Sequence, residues 1–165
     1  MGTRAPDVQA ALTVLGRPET ESVDSALDFR GLYLSGANLV GADLSGADLT
    51  GADLTRAFLN GANLTGVGLG GATLEQAELI DANLTGANLS VATLSNTRLI
   101  RAKFTGAQLD GTVLRGADLT GADFTSVDLE ETYLTDASAD HTTRWPSRFN
   151  PRRAGVRVRE RNTYP

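Results

Sequence analysis

The chain has 165 residues, 20 of them acidic and 15 basic, a net charge of −5, and no cysteine. That length suits one domain, and without cysteine there is neither a disulfide scaffold nor a thiolate metal site. No apolar run approaches a membrane span and no basic start leads into an apolar stretch like a signal peptide, so a cytoplasmic protein with no membrane partner is expected.

Residues 1–26 read as a short helix and a linker. Asp7 suits an N-cap, Val8, Ala11, Leu12 and Leu15 fall at i, i+3, i+4 and i+7, and Gly16 suits the stop. An apolar stripe on so short a helix is marginal alone and needs a surface to dock on. Leu12 and Leu15 are therefore expected to cap whatever follows; the alternative is a partner or dimer contact. Pro18 and several acids then make a linker.

From Phe29 to Leu134 every fifth residue is Leu or Phe, 22 positions in succession. On an α-helix, five residues advance about 500°, so successive leucines would form no stripe. In a straight strand they would alternate between two faces. They share one interior only if the chain bends by the same angle every five residues, as in a coil with sides one pentapeptide long. Leu44, Leu49, Leu54, Leu64, Leu84, Leu89, Phe104 and Phe124 are expected in that core. Two residues before the Leu or Phe comes Ala in 15 of the 22 units, a small inward neighbour that fills a narrow interior. Two residues after it comes Gly in 13, as the repeated corner requires. The remaining two positions are mostly Asn, Asp, Ser and Thr and face water.

Units such as Ala42-Asp43-Leu44-Ser45-Gly46, Ala47-Asp48-Leu49-Thr50-Gly51 and Ala117-Asp118-Leu119-Thr120-Gly121 resemble the pentapeptide-repeat family. The resemblance spans residues 27–138 and implies an all-β fold, a right-handed quadrilateral parallel β-helix with four pentapeptides per coil. Residues 20 apart would then stack, setting Phe104 over Phe124, Glu78 over Arg98, Arg98 over Asp118, Asp81 over Arg101 and Lys103 over Asp123. The same spacing stacks Asp28 on Asp48 and Asp110 on Glu130, like on like. A spacing of 15 gives fewer opposite pairs, whereas 25 does about as well. The residues disfavour three sides; four rather than five rests on the resemblance. The block makes a rod roughly 26 Å long at the strand-pairing distance.

Residues 139–165 abandon the beat and form an irregular, aromatic, Arg-rich extension with 7 basic residues and 2 acids, against 6 and 13 in residues 29–138. Thr143 to Pro151 looks like a closing segment of bacterial pentapeptide-repeat proteins, with Trp145 and Phe149 as lids on the last coil. The arginines are placed to fold back on Asp118, Asp123, Asp128, Glu130, Glu131 and Asp136, or to meet an anionic partner. Direct nucleic-acid binding is not expected, since no aromatic interleaving or basic fold accompanies them.

No nucleophile elbow, metal-ligand cluster or phosphate loop appears. The lone His141 sits beside Asp140 outside the repeats, without a cleft. No enzyme, cofactor or metal is expected, and biology is left to the outer walls. Under four-sided stacking one wall presents Val40, Phe58, Ile80 and Ile100 outward, rimmed by the Glu78/Arg98 and Asp81/Arg101 ladders. Such a patch marks contact with a protein partner or a second copy; the alternative is mere cross-strand packing. The leading expectation is a rigid interaction scaffold. The resemblance also offers a DNA-mimic modulator of DNA gyrase, because fluoroquinolone-resistance members have acidic rods similar to duplex DNA. Here, however, the rod is short, Asp43, Asp48 and Asp53 fall on three different sides, and the basic tail opposes docking in a cationic saddle. A third possibility is the C-terminal domain of a larger regulatory protein.

Overall fold

Parallel bridges join residues 20 apart along most of the chain: Asp28 to Asp48, Tyr33 to Asp53, Asn38 to Phe58, Asp43 to Asn63, and onward to Asp118 with Ser138. That step decides the count of sides, which charge stacking left open between four and five. The computed structural model describes residues 27–160. It is a right-handed four-sided parallel β-helix, with side 1 centred on Leu49, side 2 on Leu54, side 3 on Leu59 and side 4 on Leu64. Coils 1 to 5 begin at residues 27, 47, 67, 87 and 107. The expected helix with Leu12 and Leu15 lies outside the described residues.

Each pentapeptide resolves its backbone in the same way. The Leu49 N–H donates forward to the Gly68 carbonyl at 2.7 Å and the Gly51 N–H to the Gly70 carbonyl at 2.9 Å. The Gly68 N–H returns to the Ala47 carbonyl at 2.9 Å, and the Ala52 N–H closes the corner on the Leu49 carbonyl at 3.0 Å. One donor per unit is left, the N–H of the residue after the Leu. Where an Asp or Asn precedes the Leu, as in 11 of the 22 units, it takes that donor: Thr50 N–H on Asp48 Oδ1 at 3.0 Å, Ser45 on Asp43 at 3.1 Å, Ser90 on Asn88 at 3.0 Å. The recurring Asp and Asn are therefore Asx acceptors that complete the accounting of a five-residue side.

The interior is dry and filled. Leu44, Leu49, Leu54, Leu64, Leu84, Leu89, Phe104 and Phe124 are at most 2% exposed. Where Thr replaces the inward Ala, its hydroxyl donates to a carbonyl of the coil beneath: Thr97 to Leu74 at 2.9 Å and Thr112 to Leu89 at 2.8 Å. Among the described residues no buried side-chain polar atom lacks a partner.

The corners run at positive φ, and not only at glycine. Val91 sits at φ 54°, a conformation costly for a β-branched residue. At Gly116, φ 67°, a Cβ would stand 2.5 Å from Asn96 Oδ1, so a side chain there would have to displace the Asn96 amide.

The C-terminal end keeps the winding beyond the last Leu of the beat. Strand β1 (Ser138–Asp140) pairs in parallel with β2 (Arg157–Arg159), which covers side 3. Asp123 bridges Arg144, a step of 21, so one extra residue is absorbed and Trp145 takes an inward place above Phe124. Four rings then stack: Phe104 on Phe124 at 4.7 Å, Phe124 on Trp145 at 5.3 Å, and Trp145 on Phe149 at 5.2 Å. Side 1 parts at the same end. Asp128 has no bridge among the described residues, and the Gly111 N–H reaches Glu131 at 3.1 Å instead of Glu130. There the ladder would set Glu130 above Asp110, and like charges directly opposed disfavour pairing.

Two outcomes follow for stability. Leu84→Lys or Leu89→Lys places an unpaired charge in the dry core and should cost about 4 kcal/mol or abolish folding, read by thermal or denaturant unfolding. Val91→Gly relieves a strained corner and should raise stability by about 1 kcal/mol in the same measurement.

Candidate functional site

Three surface features stand out on the rod: side 3, the acidic positions and the basic C-terminal end. On side 3 the strand carries two outward columns. One runs Asn38, Phe58, Glu78, Arg98, Asp118, each bridged to the next. The other, two residues on, runs Val40, Asn60, Ile80, Ile100, Thr120. Val40 is 58% and Phe58 44% exposed, while Ile80 and Ile100 are half-buried. The structure thus brings Ile80 and Ile100 together but not all four. Asn60 separates Val40 from Ile80, and Phe58 stands in the neighbouring column.

Asn60 is a residue that the sequence reading passed over. Its Nδ2 donates to Glu78 Oε2 at 2.9 Å, and its Oδ1 accepts the Ile80 N–H at 2.9 Å. Its place 20 residues before Ile80 was the available signal. Asn60 and then Arg98 hold the Glu78 carboxyl below its usual range. Arg98 Nη1 meets Glu78 Oε1 at 3.2 Å, and Arg101 grips Asp81 with two hydrogen bonds at 2.7 and 2.6 Å. That grip lowers the Asp81 carboxyl and raises the guanidinium. Both expected ladders are therefore closed ion pairs.

Other stacked charges behave differently. Lys103 bridges Asp123 in the ladder, yet the ion pair of Asp123 is with Arg144 at 3.6 Å. Arg98 lies over Asp118 without an ion pair, since Glu78 holds it. The unfavourable Asp28 on Asp48 is relieved by Arg30, 2.7 Å from Asp28 and 3.7 Å from Asp48. That arginine brings Asp28 down to about 2. Asp43, Asp48, Asp123 and Asp140 are also lowered, in each case first by a hydroxyl, that of Ser45, Thr50, Thr125 and Thr142 respectively.

At the C-terminal end the arginines do fold back in part. Arg144 reaches Asp123, Arg157 reaches Asp136, and Arg152 pairs with Glu160 inside the extension. No ion pair among the described residues includes Asp128, Glu130 or Glu131. These acids lie beside a shallow groove of about 440 Å³ between residues 126–130 and 146–149, lined by Val127, Leu129, Pro146 and Phe149. His141 is exposed, and its neighbour Asp140 accepts from Thr142 instead. Among the described residues no helix is long and apolar enough to cross a membrane.

With this geometry in view, comparison with known proteins is direct. Pentapeptide repeats, in eight copies, match residues 28–66, 69–106 and 102–138. The chain belongs to the pentapeptide repeat family. Its fold is similar to Rfr23, a pentapeptide repeat protein of the cyanobacterium Cyanothece 51142, at 33% identity and TM-score 0.58, covering 72% of this chain and 90% of that one. A pentapeptide repeat protein of the Arabidopsis thaliana thylakoid lumen matches at 33% identity and TM-score 0.50, over 70% and 77%. The plasmid-mediated fluoroquinolone resistance protein QnrB1 matches at 19% identity and TM-score 0.47, over 82% and 92%, a likeness too distant to carry function. No curated protein matches the chain.

The lowered carboxyls set a pH dependence. A carboxyl whose folded pKa is depressed contributes stability that is complete above the unfolded value near about pH 4 and is lost as pH falls through the folded one. Melting temperature should therefore drop from about pH 4 toward pH 2, the latter the folded value of Asp28. Asp43→Asn/Asp48→Asn should flatten that slope while preserving stability at neutral pH, because Asn63 fills the same role in the Asp43 column. Thermal melts across that range check both.

Proposed function

We propose that this pentapeptide repeat protein is a non-enzymatic scaffold of the cytoplasm that engages another protein surface through side 3 of its rod. The observation that carries the reading is the pairing of Ile80 with Ile100 in outward positions, framed by closed ion pairs, on a rod whose inside is filled. Most outward positions elsewhere are polar, and an apolar strip with a charged rim is the usual make-up of a contact surface. Val40 and Phe58 extend the strip toward the first coils.

The acidity of the rod has a separate explanation. Asp43, Asp48, Asp53, Asp118 and Asp123 each accept the N–H two residues on, and Asn63, Asn83 and Asn88 do the same work without charge. Acids placed by a backbone requirement do not argue for imitation of DNA.

Immobilised wild-type chain and a Ser90→Asp control on side 1 should retain the same protein from a cell extract, with Ile80→Asp/Ile100→Asp retaining at least about tenfold less. Equal retention by all three proteins contradicts the assignment.

A further inference from the structure

We propose that side 3 is a self-complementary surface on which a second copy of this chain docks antiparallel, coil 3 against coil 4. The inference rests on the reading of side 3 as a contact surface and names its partner.

Coil 3 presents Gln76, Glu78, Ile80 and Asp81 across this side, from one corner to the next, and coil 4 presents Asn96, Arg98, Ile100 and Arg101 at the same places. The Glu78–Arg98 bridge fixes this register. Consider a two-fold axis lying along the strand direction, midway between these coils. It reverses the order of coils and keeps each residue's position along the strand. Glu78 then faces Arg98 of the second copy, Asp81 faces Arg101, Ile80 faces Ile100 and Gln76 faces Asn96. Each contact occurs twice, as an isologous interface demands.

Such symmetry is satisfied only if every outward position reverses its charge between the two coils or remains uncharged and alike in kind. All four positions comply. The other sides do not offer it at the same coils: side 1 sets Gly68 with Asn88, side 2 Glu75 with Ser95, and side 4 Asn83 with Lys103. Shifting the axis by one coil on side 3 also fails, since Phe58 would meet Glu78 and Asn60 would meet Ile80.

The charged groups have room for a second partner. Arg98 and Arg101 side chains are 51% and 60% exposed and Asp81 54%, although each is already paired within its own chain. Docking turns two pairs on each copy into four-charge clusters around an isoleucine centre. Networks of this kind outperform isolated surface pairs. One row further out Phe58 meets Asp118 and gains nothing, so the contact is confined to the middle of the rod. A patch of two coils is about 10 Å tall at the strand spacing. That is well short of a standard interface of about 1,600 Å², which makes the dimer a weak one.

Sedimentation equilibrium over a wide concentration series tests it. The weight-average mass of the wild-type chain should climb from 17.3 kDa toward twice that value as concentration rises. Glu78→Arg/Asp81→Arg in one preparation and Arg98→Glu/Arg101→Asp in another should each stay at the single-chain mass. An equimolar mixture of the two should recover the rise, because every facing pair is opposite in the mixed dimer. Ile80→Asp, an outward change that spares the ion pairs, should also abolish the rise and serves if a charge variant does not fold. A wild-type mass fixed at 17.3 kDa throughout, or a mixture of folded variants that stays monomeric, overturns the proposal. If the chain is monomeric yet Ile80→Asp/Ile100→Asp loses its captured protein, self-pairing alone falls and the contact surface stands.

Discussion

The structure depends on one constraint: a backbone that turns a corner every five residues must bury its large side chains on a common axis and still pair most of its amides. The inward Leu or Phe meets the first demand. The ladder of Leu49 to Gly68 and Gly68 back to Ala47 meets most of the second. In the half of the units where an Asp or Asn precedes the Leu, it accepts the one amide that the ladder omits. Removing the Leu opens the core to water, and removing the ladder leaves donors without acceptors.

That economy explains why function is confined to the outer positions. The interior columns are fixed by packing and the corners by φ. One outward column is largely claimed by Asx acceptors. Free choice remains mainly at the position after the Leu and at corners where Gly is replaced. On side 3 those positions hold Ile80, Ile100, Asp81 and Arg101, with Glu78 and Arg98 replacing the usual Asx acceptor. The same coils thus depart from the repeat at several neighbouring places at once, and the proposed contact surface rests on that clustering.

Much of the fold was legible in the residues. A beat of five admits no ordinary helix or strand, so the inward Leu columns could be assigned before any coordinates. The number of sides was not legible from charge, because Arg98 lies over both Glu78 and Asp118 yet pairs only with Glu78, and Lys103 lies over Asp123 without pairing. Long exposed side chains choose among neighbours, which blurs the register they report. Asn60 was missed because its two contacts, to Glu78 and Ile80, are 18 and 20 residues away. Trp145 was legible as a lid on the last coil, but the single extra residue before Arg144 broke the beat and hid its register above Phe124. The proposed contact surface was only partly legible: an outward Ile is visible in a unit, but its neighbours are set by the coil.

The chain has no cysteine, so single cysteines placed along one stretch report its orientation without interference. Thiol labelling of variants from position 82 to 90 tests the central claim most directly. Protection at 82, 84, 87 and 89 and rapid labelling at 83, 85, 88 and 90 are expected, following the burial of Ala82, Leu84, Ala87 and Leu89. Uniform labelling, or protection recurring at a helical spacing, would contradict a common dry axis.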